Sequence, residues 1–314
     1  MKLISDKEVR RQVANALKLG KKKFTNVTKD DLSLKQIDQM SNVLKEFRRK
    51  SNTDAIAYLQ DELTIAYLSI LALVVTWYAM SVYEVKGGKP LISKKWINSK
   101  GKPDPNLVLR AMLLQIVNYS LAVVRLVEDG LDNPARCVLR ALNELSYQFL
   151  VLASDSNKMA AYVGMKKSAE AKQVWYELFA KKGRLTKAIA DLERRIGVPE
   201  SVISEFHAYR EETSAITSEA VHHSFTSTVV LAHAGDFMTD EAFLALFGRA
   251  APASNLTLDA LNTNLFYTFS MFLNVLIEVH GFKASRKDRL WREIYLWNEC
   301  LGKVNTSENG SRKL

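Results

Sequence analysis

Between Thr64 and Tyr83 the chain reads TIAYLSILALVVTWYAMSVY, twenty residues without a charge. As a helix, that length spans about 30 Å, enough to cross a bilayer or to run the length of a large helical bundle. The segment mixes Ser, Thr and Tyr with its aliphatic residues, and no second charge-free run of that length accompanies it. A helix that is apolar on every side belongs at the centre of a bundle as readily as in lipid. The bundle is the expectation here, with membrane association through residues 64–83 as an alternative.

The rest of the chain favours helices. Only 13 Gly and 6 Pro punctuate 314 residues, 47% of them hydrophobic, and apolar positions recur at helical rather than strand spacing. Ser5 and Glu8 form a capping-box signature, with Gly20 placed to stop the helix. Ser33 and Gln36 open a second helix to about Lys50, with Leu34, Ile37, Met40, Val43, Leu44 and Phe47 on one face. Glu84–Pro105, rich in Lys, Gly and Pro, reads as a loop. Helices are then expected over Asn106–Gly130, from Asn133-Pro134 to about Ala153, over 158–182 and 184–196, and from Glu200 to Ala234. A short helix over Asp240–Phe247, a long apolar one over Thr257–His280 and an amphipathic one over Ser285–Leu301 complete the set. The prediction is an all-α protein, a multi-helix bundle of about eight to ten helices. Residues 1–53 form a basic N-terminal arm, 54–234 the central bundle, 235–304 a C-terminal extension and 305–314 a polar, disordered tail.

Of the net charge of +10, +8 lies in residues 1–50, where fourteen Lys/Arg stand against six Asp/Glu. Such an arm attracts nucleic acid, an acidic partner or an anionic surface, or is simply solvated. Cys137 and Cys300 lack metal-ligand spacing, and the opening MKLISDKEVRRQ lacks the apolar core of a signal peptide. Both features point to the reducing cytoplasm. Apolar faces on the last helices point to a homo-oligomer or a protein partner.

Two polar lines carry the candidate chemistry. In LDNPARCVLRALNELSY, Arg136, Arg140 and Glu144 are four residues apart. On a later helix Arg210, Ser214, Ser218 and His222 repeat that spacing. Residues at i and i+4 share a helix face, so each helix offers a polar stripe. If the stripes meet, they form a buried network or a reaction site.

The segment NYSLAVVRLVEDGLDNPARCVLRALNELSYQFLVLASD resembles the signature of a large, functionally uncharacterised bacterial family of all-helical proteins, through Gly130, Ala135, Arg140 and Glu144. The stretch YREETSAITSEAVHHSF is similar to that family's later helix through Ser218, His222 and Ser224. The likeness covers about Pro105–Ala234 and implies that Arg140, Glu144 and His222 come together. The family is loosely similar to HEPN-type domains, which include RNA-cleaving toxins and antiviral effectors. The HEPN nuclease motif, an Arg followed four to six residues later by His, is absent here.

What the resemblance implies is a cytoplasmic effector or accessory protein of antiviral-defence or toxin type, with RNA or a nucleotide as partner. In an enzymatic version, a metal-independent ribonuclease, His222 is the general base, Arg140 and Arg210 hold phosphate and Glu144 orients the imidazole. The non-enzymatic alternative is an interaction or scaffold protein in which the same residues are internal polar glue. A hydrolase built on Ser218 and His222 lacks the strand–Gly-x-Ser-x-Gly elbow. Glu219 and His223 are spaced to share a metal, but no second acidic cluster or Cys pair supports one, and neither metal nor cofactor is expected.

Overall fold

The computed structural model describes residues 56–57, 59–85, 104–164, 168–222, 233–234, 243–244, 252–282, 294 and 298. The basic arm, most of the Lys/Gly/Pro-rich loop, the polar tail and most of the helices expected over Asp240–Phe247 and Ser285–Leu301 lie outside them. Eight α-helices make up nearly all of the described chain, as the periodicity predicts. They are α1 (Gln60–Val85), α2 (Pro105–Glu128), α3 (Asp132–Ser154), α4 (Ser156–Val163), α5 (Ser168–Trp175), α6 (Arg184–Arg195), α7 (Glu200–Val221) and α8 (Pro252–Asn274). A π-helical turn, Tyr176–Ala180, extends α5, and another, Val275–Val279, extends α8.

Local chemistry sets the boundaries. Asp104 caps α2 by accepting a hydrogen bond from the Asn106 amide at 2.9 Å, with Pro105 in the first turn, where no donor is lost. The far end of α2 closes on Gly130 at φ +71°. The Gly130 amide bonds to the Val127 carbonyl and the Leu131 amide to the Leu126 carbonyl, the paired bonds of a Schellman turn. The same pair of bonds recurs at Gly197, closing α6.

The centre of the molecule is α3 rather than the charge-free helix. It packs on α2, α6, α7 and α8 and buries Leu139, Leu142, Phe149, Leu150 and Leu152. Phe149 meets Phe272 of α8 with ring centroids 4.7 Å apart. Helix α1 lies to one side. It packs on α2 and α8 through Leu63, Ala66, Ile70 and Leu73, while Tyr67, Leu71, Val74 and Tyr78 face outward. Three helical spans, Gln60–Met80, Pro105–Glu128 and Ser254–Val279, are long and apolar enough to cross a membrane. The latter two escape a search for charge-free runs because they contain Arg110, Arg125, Asp259 and Glu278.

Three expected elements need correction. The helix expected over 158–182 is divided, α4 closing on Gly164 and α5 starting at Ser168. The helix expected from Glu200 to Ala234 ends at Val221. His233–Ala234 instead pairs antiparallel with Phe243–Leu244, which was expected to be helical. The intervening sequence contains Thr226, Thr228, Val229 and Val230, whose branched β-carbons disfavour helix and favour extended backbone.

Candidate functional site

The two polar stripes meet over part of their length. Helices α3 and α7 pack together, and the Arg140 guanidinium donates to the Ser218 hydroxyl at 2.5 Å. Arg140 also lies 3.6 Å from Glu144 on its own helix, the side chains being 35% and 49% exposed. Around them lies a pocket of about 500 Å³. Asn143 and Tyr147 of α3, Thr186 of α6, and His207, Glu211 and Ser214 of α7 add to its polar lining. His207 lies 3.6 Å from Glu211, one turn along the helix, and both are exposed. The Asn143 side-chain carbonyl is buried at this wall without a hydrogen-bond donor.

The ends of both stripes turn to other partners. Arg136 donates to Asp132 at 2.9 Å and to Thr257 of α8 at 3.0 Å, and is buried there. Burial pushes the Asp132 carboxyl above its ordinary value, opposed by the Arg136 charge and by hydrogen bonds. Arg210 is enclosed by Glu193 of α6 and Tyr267 of α8. Its Nη atoms donate to both oxygens of Glu193, at 2.6 and 3.3 Å, and Glu193 is wholly buried. The Tyr267 hydroxyl donates to the same carboxylate at 2.6 Å. Burial by itself would lower the Arg210 pKa, but the Glu193 carboxylate and the Tyr267 hydroxyl hold it above the usual value. Arg210 reaches the pocket wall as one half of a fixed ion pair.

His222 is placed differently from the expectation. It is exposed, at the residue that caps α7, where its backbone amide bonds to the Ser218 carbonyl at 2.9 Å. With Arg140 level with Ser218 and Tyr147 level with Arg210, the two helices run antiparallel. That register puts His222 level with Arg136, one turn beyond the pocket. The structure therefore gathers Arg140, Glu144 and Ser218, with Arg210 in the wall, and places His207 rather than His222 among them. Among the described residues, no three His, Cys, Asp or Glu side chains form a metal-binding group.

Glu193, Tyr147, Tyr267 and Asn143 lie outside the two i, i+4 lines. For Glu193 the signal was present: it follows Ile189 and Leu192 on the buried face of α6, where a carboxylate needs a partner. Tyr267 had no such mark in a helix rich in aromatics. Comparison with family models, with curated proteins and with solved structures finds no match for this chain.

Proposed function

We propose that the chain is a cytoplasmic effector or accessory protein that binds a ribonucleotide, or the end of an RNA, in the pocket between α3 and α7. One observation carries the reading. The Arg140–Ser218 pair offers donors to an anion, beside the buried Asn143 carbonyl that has no donor of its own. A ligand suited to both must combine anionic oxygens with hydroxyl or amide donors, as a ribonucleoside phosphate does. The half-exposed Arg140–Glu144 pair is weak, so a phosphate can replace Glu144 at little cost. The pocket volume lies within the range of small-ligand sites, about 300–1,000 Å³.

Binding, rather than cleavage, is the reading the geometry favours. The imidazole assigned as base stands outside the pocket, and Arg210 is committed to Glu193. The non-enzymatic interaction protein is a second reading, supported by the same buried pair acting as internal polar glue.

Titration calorimetry with a ribonucleoside monophosphate and its parent nucleoside tests the proposal. Arg140→Ala is expected to weaken the monophosphate by about tenfold or more, the loss of a charge-assisted hydrogen bond, and to leave the nucleoside nearly unchanged. His222→Ala should leave both unaffected. Absence of saturable binding to the unaltered protein, or indifference to Arg140→Ala, would overturn the reading. Cleavage of a labelled short RNA that depends on His207 would replace it with the enzymatic one.

A further inference from the structure

Beyond Tyr147 and Arg210, on the other side of the polar pocket, lies a second cavity of about 380 Å³. Its walls are largely apolar. Ile196 and the turn after α6 form one side, Val202 and Phe206 of α7 a second, and Phe266, Tyr267 and Met271 of α8 a third. Phe206 and Tyr267 meet edge to face at 5.1 Å, which fixes the rings in place.

Polar side chains also reach this lining, among them Thr263, Ser270 and Asn274. Arg210 Nε and Asn264 Nδ2 are buried donors without an acceptor at bonding geometry. The Asn264 amide lies near enough to the Tyr147 hydroxyl to favour its ionised form, yet burial dominates and pushes that phenol up to about 12. Asn264 itself is 1% exposed. The Asn264 amide carries two N–H donors, of which the Tyr147 hydroxyl can take only one, and a buried donor left over is costly. The Glu193 carboxylate already balances the Arg210 charge, so these donors call for a neutral acceptor rather than a second anion.

We infer that this cavity is a binding site for a neutral, flat apolar molecule bearing a carbonyl, its rings among Phe206, Phe266 and Met271 and its oxygen on the Asn264 amide. This matches the usual build of a small-molecule site, an apolar pocket with a few converging polar groups. The ligand differs in chemistry from the nucleotide proposed for the polar pocket, and neither site depends on the other.

The test uses the full chain and two probes of matched shape, naphthyl methyl ketone and isopropenylnaphthalene, measured by equilibrium dialysis. The ketone is expected to bind saturably, about fivefold to tenfold more tightly than the hydrocarbon, the worth of one net hydrogen bond. Asn264→Leu should bring the ketone down to the hydrocarbon's affinity and leave the hydrocarbon unchanged. Val202→Trp, at a half-buried wall position, should exclude both, and Arg140→Ala neither. Thermal unfolding of each variant separates loss of the site from loss of the fold. Three results would each overturn the inference: no saturable binding of either probe, equal affinities in the unaltered protein, or full binding by a folded Val202→Trp variant.

Discussion

Glu193 has no exposed surface, and its carboxylate receives both the Arg210 guanidinium and the Tyr267 hydroxyl. A buried pair of this kind contributes modestly to stability when intact, because both ions were taken out of water. Breaking it has a much larger effect. Arg210→Met leaves a charge in the core and should cost about 3–5 kcal/mol in urea unfolding. Adding Glu193→Leu should recover most of that loss, since two apolar groups of similar volume satisfy each other. A loss below about 1 kcal/mol for the single variant would mean that water reaches the carboxylate. The contrast between Arg210 and Ser218 shows how one stripe takes two roles. Residues four apart on α7 share a face in projection. Yet Arg210 sits where α6 and α8 close over the helix, and Ser218 where they do not. Spacing puts each polar line on one face of its helix, but it could not say whether the lines meet or which arginine would be sealed in.

At the scale of elements, the glycines do most of the punctuation. Gly130, Gly183, Gly197 and Gly281 all have positive φ and all fall at expected helix stops. Gly197 gives the cleanest test. Its φ is +85°, and a Cβ added there would meet nothing within 4 Å. The effect of Gly197→Ala is therefore pure backbone strain, about 1–2 kcal/mol in equilibrium unfolding, and Gly197→Asn should cost less because Asn tolerates that conformation. Equal losses for both would indicate a packing clash instead. This is also where the sequence was most legible. Strong local signals, a glycine that only one backbone shape requires or a proline at a helix start, survive without knowledge of the tertiary fold. The end of α7 was not legible on that basis, because no glycine or proline stands between Val221 and Ala234. The stop there falls to weak propensities of branched residues, which tertiary context decides. The central role of α3 was hidden for a related reason. Its stripe of Arg and Glu made it look amphipathic, whereas neighbours on several sides, not composition, put it in the core.

At the scale of the whole molecule, the C-terminal end of α3 ties distant segments together. The His280 Nε2, at the end of the π-helical turn after α8, bonds to the Ala153 carbonyl at 2.8 Å. The Arg195 guanidinium, at the end of α6, bonds to the Ser154 carbonyl at 2.8 Å. Helix carbonyls left without amide partners are thus satisfied by donors from two other helical segments. Burial lowers the His280 pKa below its ordinary 6.5, and the nearby Arg195 charge acts in the same direction, against the bond to Ala153. As pH falls below about 6.5, the unfolded chain takes up this proton before the folded one. Stability from this group is therefore fully present above that pH and is lost as pH drops toward the depressed folded value. Asp132 works the other way. With its folded pKa raised above 3.8, the folded state holds the proton longer, so stability falls as pH rises through that window. Comparing variants isolates His280 from this opposing slope. His280→Gln keeps a donor for Ala153 but removes the titration. Its unfolding free energy should fall less than that of the unaltered protein between about pH 7.5 and about pH 5. Parallel curves for the two proteins over that range would mean that His280 is protonated alike in the folded and unfolded chains, and that acid acts on this bundle elsewhere.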